Sequence, residues 1–541
     1  MRGRTGAIRL VSVLALVTGL ALLTAAYGVA GNNAGKQSHA KLGTLRAVID
    51  TIDYLDPQQA YTGQSWWAMW NVWETLVTYR HVDGPAGYRL VPGLAQSMPT
   101  VSRDGRVYTF VLRKGLRYSN GKPVRASDFK YAIKREFLST GQGVGFYTGI
   151  AGAKTFSKTL KGDISGIRTN NARRTIRIRL TTPRGDFLTI MSLLFAAPVP
   201  EGTPNSIQNG NIPATGPYRI SSYEPNRGFT MVRNKYFKPT RYIPRGNPNR
   251  VEVSLIGDAN AATQRVISGQ ADYTNAAIPP DRIGSVKNRG RLILRKTANT
   301  YYFWMNVNVA PFNKLKVRQA VNYAINRNAM QRLVWGGLGT PTQNVLPPTY
   351  PSYRKLNLYP YNPAKARQLI NQAGAKGAKV TVWTREVSDA LTAAQYYVSV
   401  LNSIGLDAKL NSLPRSTYYT TIGNIKTKAQ TGWARWLEDY PHPLDWFDVL
   451  LNGNRIVETD NNNYAYFSNK KVNREIESLK RAPVLTPAVN KRWATVERQI
   501  MAQAPWAPWS NRVFPEFFAK NIGCIHIQRL YGIDLARLCK R

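Results

Sequence analysis

The chain has 541 residues, of which 43% are hydrophobic, enough to build a large core divided among two or more domains. Its 74 lysines and arginines outnumber its 30 acidic residues and give a formal net charge of +44 at pH 7. Basic residues are spread over the whole chain, without zinc-finger spacing or a basic heptad arm, which argues against a nucleic-acid site. A basic surface of this kind fits either an acidic medium or contact with anionic polymers of a cell envelope.

The first 30 residues have the pattern of a secretory signal. Three arginines precede an uncharged apolar run over residues 10–30. Small residues favour cleavage after Ala30, with a second option after Ala40, whereas the length of the run also fits an uncleaved membrane anchor. Residues 31–40 are small and polar and predict a flexible tether. With either outcome, the remainder of the chain is expected to be exported.

Alternating strand and helix patterns occupy the rest of the chain. Strands are expected at residues 44–49, near 218, 229 and 251, and at 379–383 and 408–412. Helices are expected at residues 70–79, 260–269, 313–334, 363–373 and 390–404. The segment between residues 80 and 211 is richer in strands and turns. This alternation is typical of an α/β fold.

The region from residue 90 to residue 135 carries the strongest local signals. Asp104-Gly105 predicts a hairpin turn between alternating apolar positions, and Asn120-Gly121 predicts a second turn. The pair Ser127-Asp128 is expected to cap an amphipathic helix that begins at Phe129. These signals together predict a well-specified α+β module.

Several short segments of the chain have sequence motifs that are typical of one protein family. PGLA, DGRVYTFVLRKG and GKPVRASDF lie between residues 90 and 135, and ATGPY, MNVNVAPF and WLEDYPHP follow in order. In this combination the chain resembles the extracellular solute-binding proteins of the peptide and nickel ABC importers, over about residues 44–537. Asn326 departs from the aspartate of the family's AIDR pattern. The resemblance implies a two-lobed, periplasmic-binding-protein-like α/β fold with the ligand cleft between the lobes.

The family architecture implies specific domain boundaries. Lobe I would comprise residues 41–308 together with residues 505–541. Residues 80–211 would form the extra subdomain of the larger, peptide-class receptors. Lobe II would comprise residues 309–504.

The cysteine content bears on anchoring, cross-linking and metal binding. Cys524 and Cys539 are the two cysteines of the chain, so no cysteine is available for lipid attachment near the signal segment. In an exported protein this pair predicts a disulfide that contributes about 3 kcal/mol, with two unpaired buried thiols as the alternative. Two cysteines and four scattered histidines lack metal-ligand spacing, and neither a metal nor a cofactor is expected.

The sequence carries no catalytic motif in the structural context that such a motif requires. The chain has no Walker A pattern and no G-x-S-x-G elbow. The glycines of GQGVGF, which begins at Gly141, lie outside a strand–turn–helix context. His442 stands between two prolines and is more simply a loop residue. The chain is therefore expected to be a non-enzymatic protein.

The loop around Asp439 is the main candidate for a ligand site. Asp439 lies between the aromatic residues Trp436 and Tyr440, in a segment stiffened by two prolines. Such a carboxylate can face a cationic ligand group at little ordering cost. In peptide-binding relatives, the aspartate at this motif position pairs with the α-ammonium of the ligand. A structural role, as a helix cap or arginine partner, is the alternative, and Glu438 competes for the ligand role.

Two further segments are candidates for ligand contacts. Arg385 follows a core strand, where α/β folds place ligand contacts, and the resemblance implies a grip on the ligand carboxylate, with a solvated arginine as the alternative. The loop after the first strand contains Gly63, Gln64, Ser65 and Trp66. Its glycine permits close backbone approach, and one of its two tryptophans is expected to face the ligand.

The expected function is that of a monomeric receptor that captures oligopeptides or dipeptides outside the membrane. It would deliver them to the membrane permease of an ABC importer, without binding nucleic acid. An oligosaccharide receptor remains an alternative, because the aromatic content of 11% also suits stacking on sugars. A basic adhesive protein of the cell envelope is the second alternative, and a secreted hydrolase is the third.

Overall fold

A computed structural model describes residues 43–541, apart from residues 140, 208–210, 277, 280 and 281. The expected signal segment at residues 1–30 and the tether at residues 31–40 lie outside the described residues. In the part of the chain that the structure describes, no helix has both the length and the hydrophobicity needed to cross a membrane.

Helices and strands alternate along most of the described chain. The longer helices are Gly63–Met69, Ala126–Leu138, Ala153–Thr159, Ala259–Ile267, Leu315–Ala324, Arg327–Trp335, Pro363–Gln372, Ser388–Ser403, Arg415–Ile422, Leu444–Leu450, Lys470–Lys480 and Pro487–Ala502. Short helical turns lie at Gly84–Tyr88, Val144–Tyr147, Phe187–Ile190, Leu194–Ala196, Ile283–Val286, Ile425–Thr427 and Gly453–Arg455. This mixture confirms the α/β class expected from the sequence.

A 12-stranded mixed sheet runs through both lobes of the fold. In spatial order its main path is Asp407–Leu413, Lys379–Arg385, Thr431–Leu437, Asn299–Met305, Trp506–Phe518, Tyr273–Thr274, Thr44–Ile49, Arg250–Leu255, Gly228–Arg233 and Tyr218–Glu224. Arg291–Lys296 and Gly339–Pro341 pair with Trp506–Phe518 outside this path. The strands expected near residues 44, 218, 229, 251, 379 and 408 are all confirmed.

The 13-residue strand Trp506–Phe518 joins the lobes. Its first half pairs antiparallel with Asn299–Met305, and its second half pairs antiparallel with Arg291–Lys296. The chain therefore crosses between the lobes twice along neighbouring strands. This arrangement is the two-lobed fold that the sequence predicted.

The strand Asn299–Met305 is buried over its whole length because both of its faces are covered. Tyr301 and Phe303 pack into one hydrophobic cluster of lobe II, whereas Tyr302 and Trp304 pack into another on the opposite face. This alternation follows from the two-residue period of a strand. Because both faces of this strand pack into lobe II, we propose that the lobes meet near residues 297–298 and 511–513. The boundaries expected from the sequence, at residues 308/309 and 504/505, stay a prediction.

A separate four-stranded antiparallel sheet lies within the segment expected to form the extra subdomain. Its order is Thr100–Val101, Val107–Val111, Thr175–Arg179 and Ile167–Asn170. Asp104-Gly105 connects the first two strands, as expected. The turn at Asn120-Gly121 is also present, with Arg117 bridged to Pro123 across it.

The prediction of a helix at residues 70–79 is wrong. The helix lies earlier, at Gly63–Met69, because the side chain of Thr62 accepts a hydrogen bond from the Ser65 amide and caps it. Val77–Tyr79 is instead a strand paired with Leu90–Pro92, consistent with the β-branched residues in this stretch. The residues expected to form a ligand loop therefore begin a helix.

Two other helix boundaries also differ from expectation. The single helix expected at residues 313–334 is divided at Asn326, whose side chain accepts a hydrogen bond from the Ala329 amide at 3.0 Å and starts a second helix. An asparagine caps as well as the aspartate of the family pattern. The helix expected from Phe129 begins at Ala126, and Asp128 lies in its first turn, where it accepts from the Arg125 amide at 2.8 Å.

Candidate functional site

The loop that contains Asp439 connects a strand to a helix. The strand Thr431–Leu437 ends just before it, and the helix Leu444–Leu450 follows it. Asp445, in the first turn of that helix, accepts hydrogen bonds from the Asp439 amide at 3.0 Å and from the Trp436 indole at 3.2 Å. The carboxylate of Asp445 therefore fixes the conformation of the loop from within.

The same loop touches residues from the other lobe. The hydroxyl of Tyr61 donates to Asp439 Oδ2 at 2.7 Å, across 378 positions of sequence. The hydroxyl of Tyr440 donates to Asp186 at 2.8 Å, and Asp186 is in turn paired with Arg184. With the lobe boundaries expected from the sequence, Asp439 and Tyr440 lie at a contact between the lobes.

Three carboxyl groups are buried together in this loop. Asp439 is 9% exposed, Glu438 is 8% exposed and Asp445 is fully buried. Burial raises the pKa of Asp439 to about 7 and that of Glu438 to about 8. Burial, followed by the charge of Asp439, also raises the pKa of Asp445. In a chain with a large excess of basic residues, this loop concentrates acidic groups.

One basic residue, Arg529, approaches this cluster. Its Nε lies 3.3 Å from Glu438 Oε1, and neither atom has a hydrogen-bond partner of suitable geometry among the described residues. The hydroxyl of Tyr350 donates to the other oxygen of Glu438 at 2.7 Å. The cluster as a whole therefore retains an excess of acidic over basic side chains, which favours a cationic ligand group.

Arg385 occupies a different position. It was expected to follow a strand at residues 379–383 but is the last residue of the strand Lys379–Arg385, and it is buried with its guanidinium 4.4 Å from the centre of the Trp433 ring. Its closest carboxylate is that of Asp389, at 3.9 Å, and burial lowers the pKa of Arg385. Among the described residues, the contacts of Arg385 and those of Asp439 have no residue in common.

The residues expected in a loop after the first strand have mainly structural contacts. Ser65 is buried and donates to Asp53 at 2.5 Å. The indole of Trp66 donates to the Ala60 carbonyl at 2.7 Å, and the ring is 6% exposed. Gly63 is exposed and Gln64 is half-buried, both in the first turn of the helix.

A cavity of about 880 Å³ lies beside the Asp439 loop. Residues on the lobe I side of it are Asp83, Gly84, Tyr88, Ile525, Ile527 and Arg529. Residues on the lobe II side are Thr349, Tyr350, Pro351, Pro441 and Leu485. Lys296, which also lines the cavity, is the last residue of the strand Arg291–Lys296. The cavity shares Pro441 with the Asp439 loop, but none of the site residues expected from the sequence lines it.

One wall of this cavity is formed by a C-terminal loop that a disulfide closes. Cys524 and Cys539 form a disulfide with a Cα–Cα distance of 5.4 Å. Ile525, Ile527 and Arg529 lie inside the loop that it closes. The disulfide predicted from the two cysteines is confirmed, but no pattern in the sequence indicated that its loop faces a cavity. Tyr61, by contrast, lies two residues before Gly63, next to the segment that the sequence predicted to contact the ligand. That prediction was the signal that could have identified it.

The chain is similar to known proteins over most of its length. The family model described as "Bacterial extracellular solute-binding proteins, family 5 Middle" matches residues 89–457. The oligopeptide-binding protein OppA of Bacillus subtilis (strain 168) is 22% identical over 505 residues, which cover 88% of this chain and 90% of that protein. Heme-binding protein A of Haemophilus influenzae (strain ATCC 51907 / DSM 11121 / KW20 / Rd) is 27% identical over 476 residues, 82% of each chain.

A solved structure of similar fold extends the match to nearly the whole chain. Clavulanic acid biosynthesis oligopeptide binding protein 2 superposes with a TM-score of 0.84 at 25% sequence identity, covering 93% of this chain and 96% of that one. The resemblance predicted from short sequence segments is thereby confirmed. This chain belongs to the bacterial extracellular solute-binding proteins of family 5, the solute-binding proteins of peptide ABC importers.

Proposed function

We propose that this protein is an exported, non-enzymatic receptor that binds short peptides and delivers them to the membrane permease of an ABC importer. The observation that carries the proposal is the buried carboxyl cluster of Glu438, Asp439 and Asp445 at the contact between the lobes. A buried carboxylate without a full basic counterpart is stabilised by a cationic ligand. Each free peptide supplies such a group in its α-ammonium.

Asp439 is the proposed partner of the α-ammonium. Its amide and its Oδ2 atom are held from two directions, by Asp445 and by Tyr61. The loop is therefore oriented before a ligand arrives, which lowers the entropic cost of binding. Because Tyr61 belongs to lobe I and Asp439 to lobe II, a ligand at this point would contact both lobes and favour their closed arrangement.

The strand that leads into the loop offers a further contact for a peptide. Thr431–Leu437 pairs with Asn299–Met305 along its length, but with Lys379–Arg385 only at Thr431 and Gly432. Within the described residues, no further strand pairs with the second edge at residues 434–437, whereas the Trp433 carbonyl accepts from the Tyr418 hydroxyl at 2.5 Å. An extended peptide can add to such an edge through main-chain hydrogen bonds.

Arg385 remains the proposed partner for a ligand carboxylate. Its Nε is buried without a hydrogen-bond partner among the described residues. Asp389 lies 3.9 Å away, a distance that leaves room for a stronger, hydrogen-bonded anion. Peptides that reach both Asp439 and Arg385 would be fixed at both ends.

The test uses the mature protein and a defined pool of di- to pentapeptides. We expect native mass spectrometry to show one peptide per protein and small-angle scattering to show a smaller radius of gyration with peptide than without. The peptides should be recovered intact after prolonged incubation. Binding of polyanionic envelope polymers, without saturable binding of any peptide in the pool, would instead support the adhesive function and refute the receptor.

A further inference from the structure

The cavity beside the Asp439 loop has apolar walls from both lobes. Tyr350, Pro441 and Leu485 face it from lobe II, and Tyr88, Ile525 and Ile527 face it from lobe I. A volume of about 880 Å³ is within the range of small-molecule sites and large enough for the bulkiest protein side chain. A space of this kind favours an apolar occupant.

The cavity is next to the proposed position of the peptide amino terminus. Pro441 lines it and follows Asp439 by two residues, a span of at most about 7 Å along the chain. Tyr350 also lines it and donates to Glu438, the residue before Asp439. A peptide held at Asp439 would therefore have its first side chains within reach of the cavity.

The polar groups around the cavity are mostly engaged with one another. Arg529 lies 4.3 Å from the centre of the Tyr88 ring and donates to the Thr349 carbonyl, besides its pairing with Glu438. The carboxylate of Asp83 accepts a hydrogen bond from the Ile527 amide and lies 3.2 Å from His526 Nδ1.

The charge balance disfavours a basic occupant. Arg529 and Lys296 both line the cavity, whereas Asp83 is its acidic lining residue and is already engaged. A lysine or arginine side chain of a peptide would bring a further positive charge to this region. An apolar side chain would lose no hydrogen bonds on entering and would displace water from apolar walls.

We propose that this cavity receives a bulky apolar side chain, aromatic or leucine-like, from the first or second residue of the bound peptide. The inference rests on the proposed peptide-receptor function and adds the class of peptide that the receptor prefers. The disulfide-closed loop that carries Ile525 and Ile527 would be part of the specificity pocket.

The test compares tripeptides with free amino termini that carry alanine, leucine, phenylalanine, tryptophan, aspartate or lysine at position 1 or 2. Burying the extra carbons of leucine or an aromatic ring in the cavity is expected to improve affinity at least about tenfold over alanine at one of the positions. The lysine peptides are expected to bind no more tightly than the alanine peptides.

Two variants fill the cavity from opposite sides, Leu485→Trp from lobe II and Ile527→Trp from lobe I. In each, the preference for bulky apolar residues over alanine should fall below about threefold, because the introduced indole occupies the space that those side chains would enter. Leu333→Trp, on a side chain that is 57% exposed, is the matched control and should keep the full preference. Because the cavity is filled from two sides by two separate variants, the test can still be read if one of them fails to fold.

The outcomes separate the two proposals. If trialanine and the other peptides bind with equal affinity, the cavity inference is overturned and the receptor function stands. The same holds if a preference exists but survives in both folded cavity-filling variants. If no peptide binds at all, the receptor function fails and the inference fails with it.

Discussion

Replacing Asp439 by asparagine removes the charge from the proposed ammonium site and keeps its shape. The amide oxygen of asparagine can still accept the hydrogen bond from the Tyr61 hydroxyl, which lies 2.7 Å from Asp439 Oδ2. The main-chain hydrogen bond from residue 439 to Asp445 is independent of the side chain. The substitution therefore tests the charge of residue 439 rather than the conformation of its loop.

The size of the effect follows from the burial of the site. A hydrogen bond to a charged group contributes about 1.5–3 kcal/mol net, which corresponds to a roughly ten- to hundredfold change in affinity. Burial raises the pKa of Asp439 to about 7, so part of the free protein carries a proton there near neutral pH and must lose it on binding, which reduces the observed ratio.

The assay is calorimetric titration of Asp439→Asn with a peptide that the unmodified protein binds, and with its N-acetylated form. Acetylation should cost the unmodified protein a similar factor and cost the variant little more, because both changes remove the same interaction. Asp407→Asn makes the same chemical change at an exposed position of lobe II and should leave affinity unchanged.

One result would refute the assignment of Asp439. If Asp439→Asn lowers the melting temperature strongly and leaves peptide affinity intact, the carboxylate is structural. Glu438 or Asp445, in the same buried cluster, would then be the candidate for the ammonium partner.

Two further predictions concern pH and the disulfide. Because the pKa of Asp439 is raised from 3.8 to about 7, peptide affinity should rise between about pH 5 and 7 as the carboxyl ionises. It should fall above about pH 8, where the peptide α-ammonium deprotonates, and Asp439→Asn should remove the acidic limb of this profile. In the free protein, Asp439 and Glu438 (pKa raised from 4.5 to about 8) retain protons that the unfolded chain releases. Their contribution to stability is complete below about pH 4 and should be lost as the pH rises towards 7–8. Thermal unfolding at a series of pH values should show this loss, and the loss should be smaller in Asp439→Asn. Replacing both cysteines by serine should destabilise the protein by about 3 kcal/mol, since the disulfide closes a loop of 15 residues, and an unchanged midpoint of denaturant unfolding would contradict this.

Local sequence patterns predicted much of the secondary structure. Strands such as Thr44–Ile49 and Lys379–Arg385 have periodic apolar residues that fix which face is buried. The hairpin at Asp104-Gly105 needs residues that tolerate its turn, and Gly105 indeed has a φ of +68°. These features depend on neighbours in sequence, so sequence alone was enough.

Errors occurred where short-range signals compete. The stretch at residues 70–79 has apolar spacing that fits a helix, but the cap at Thr62 starts the helix earlier and Val77–Tyr79 finds a strand partner in Leu90–Pro92. At Asn326, side-chain capping interrupts a helical pattern that otherwise continues. Each of these outcomes depends on one hydrogen bond or one pairing that periodicity does not encode.

The sequence by itself determined the family, the α/β class and the loop that carries Asp439, because each resides in a contiguous segment with a distinctive pattern. Only the tertiary structure brought Tyr61 to Asp439 across 378 residues and placed the disulfide-closed loop and Pro441 around one cavity. Burial of Glu438, Asp439 and Asp445 together is likewise a property of the folded chain. The physical reason is that desolvation and contacts between lobes depend on distances in space, which residues far apart in sequence do not specify locally.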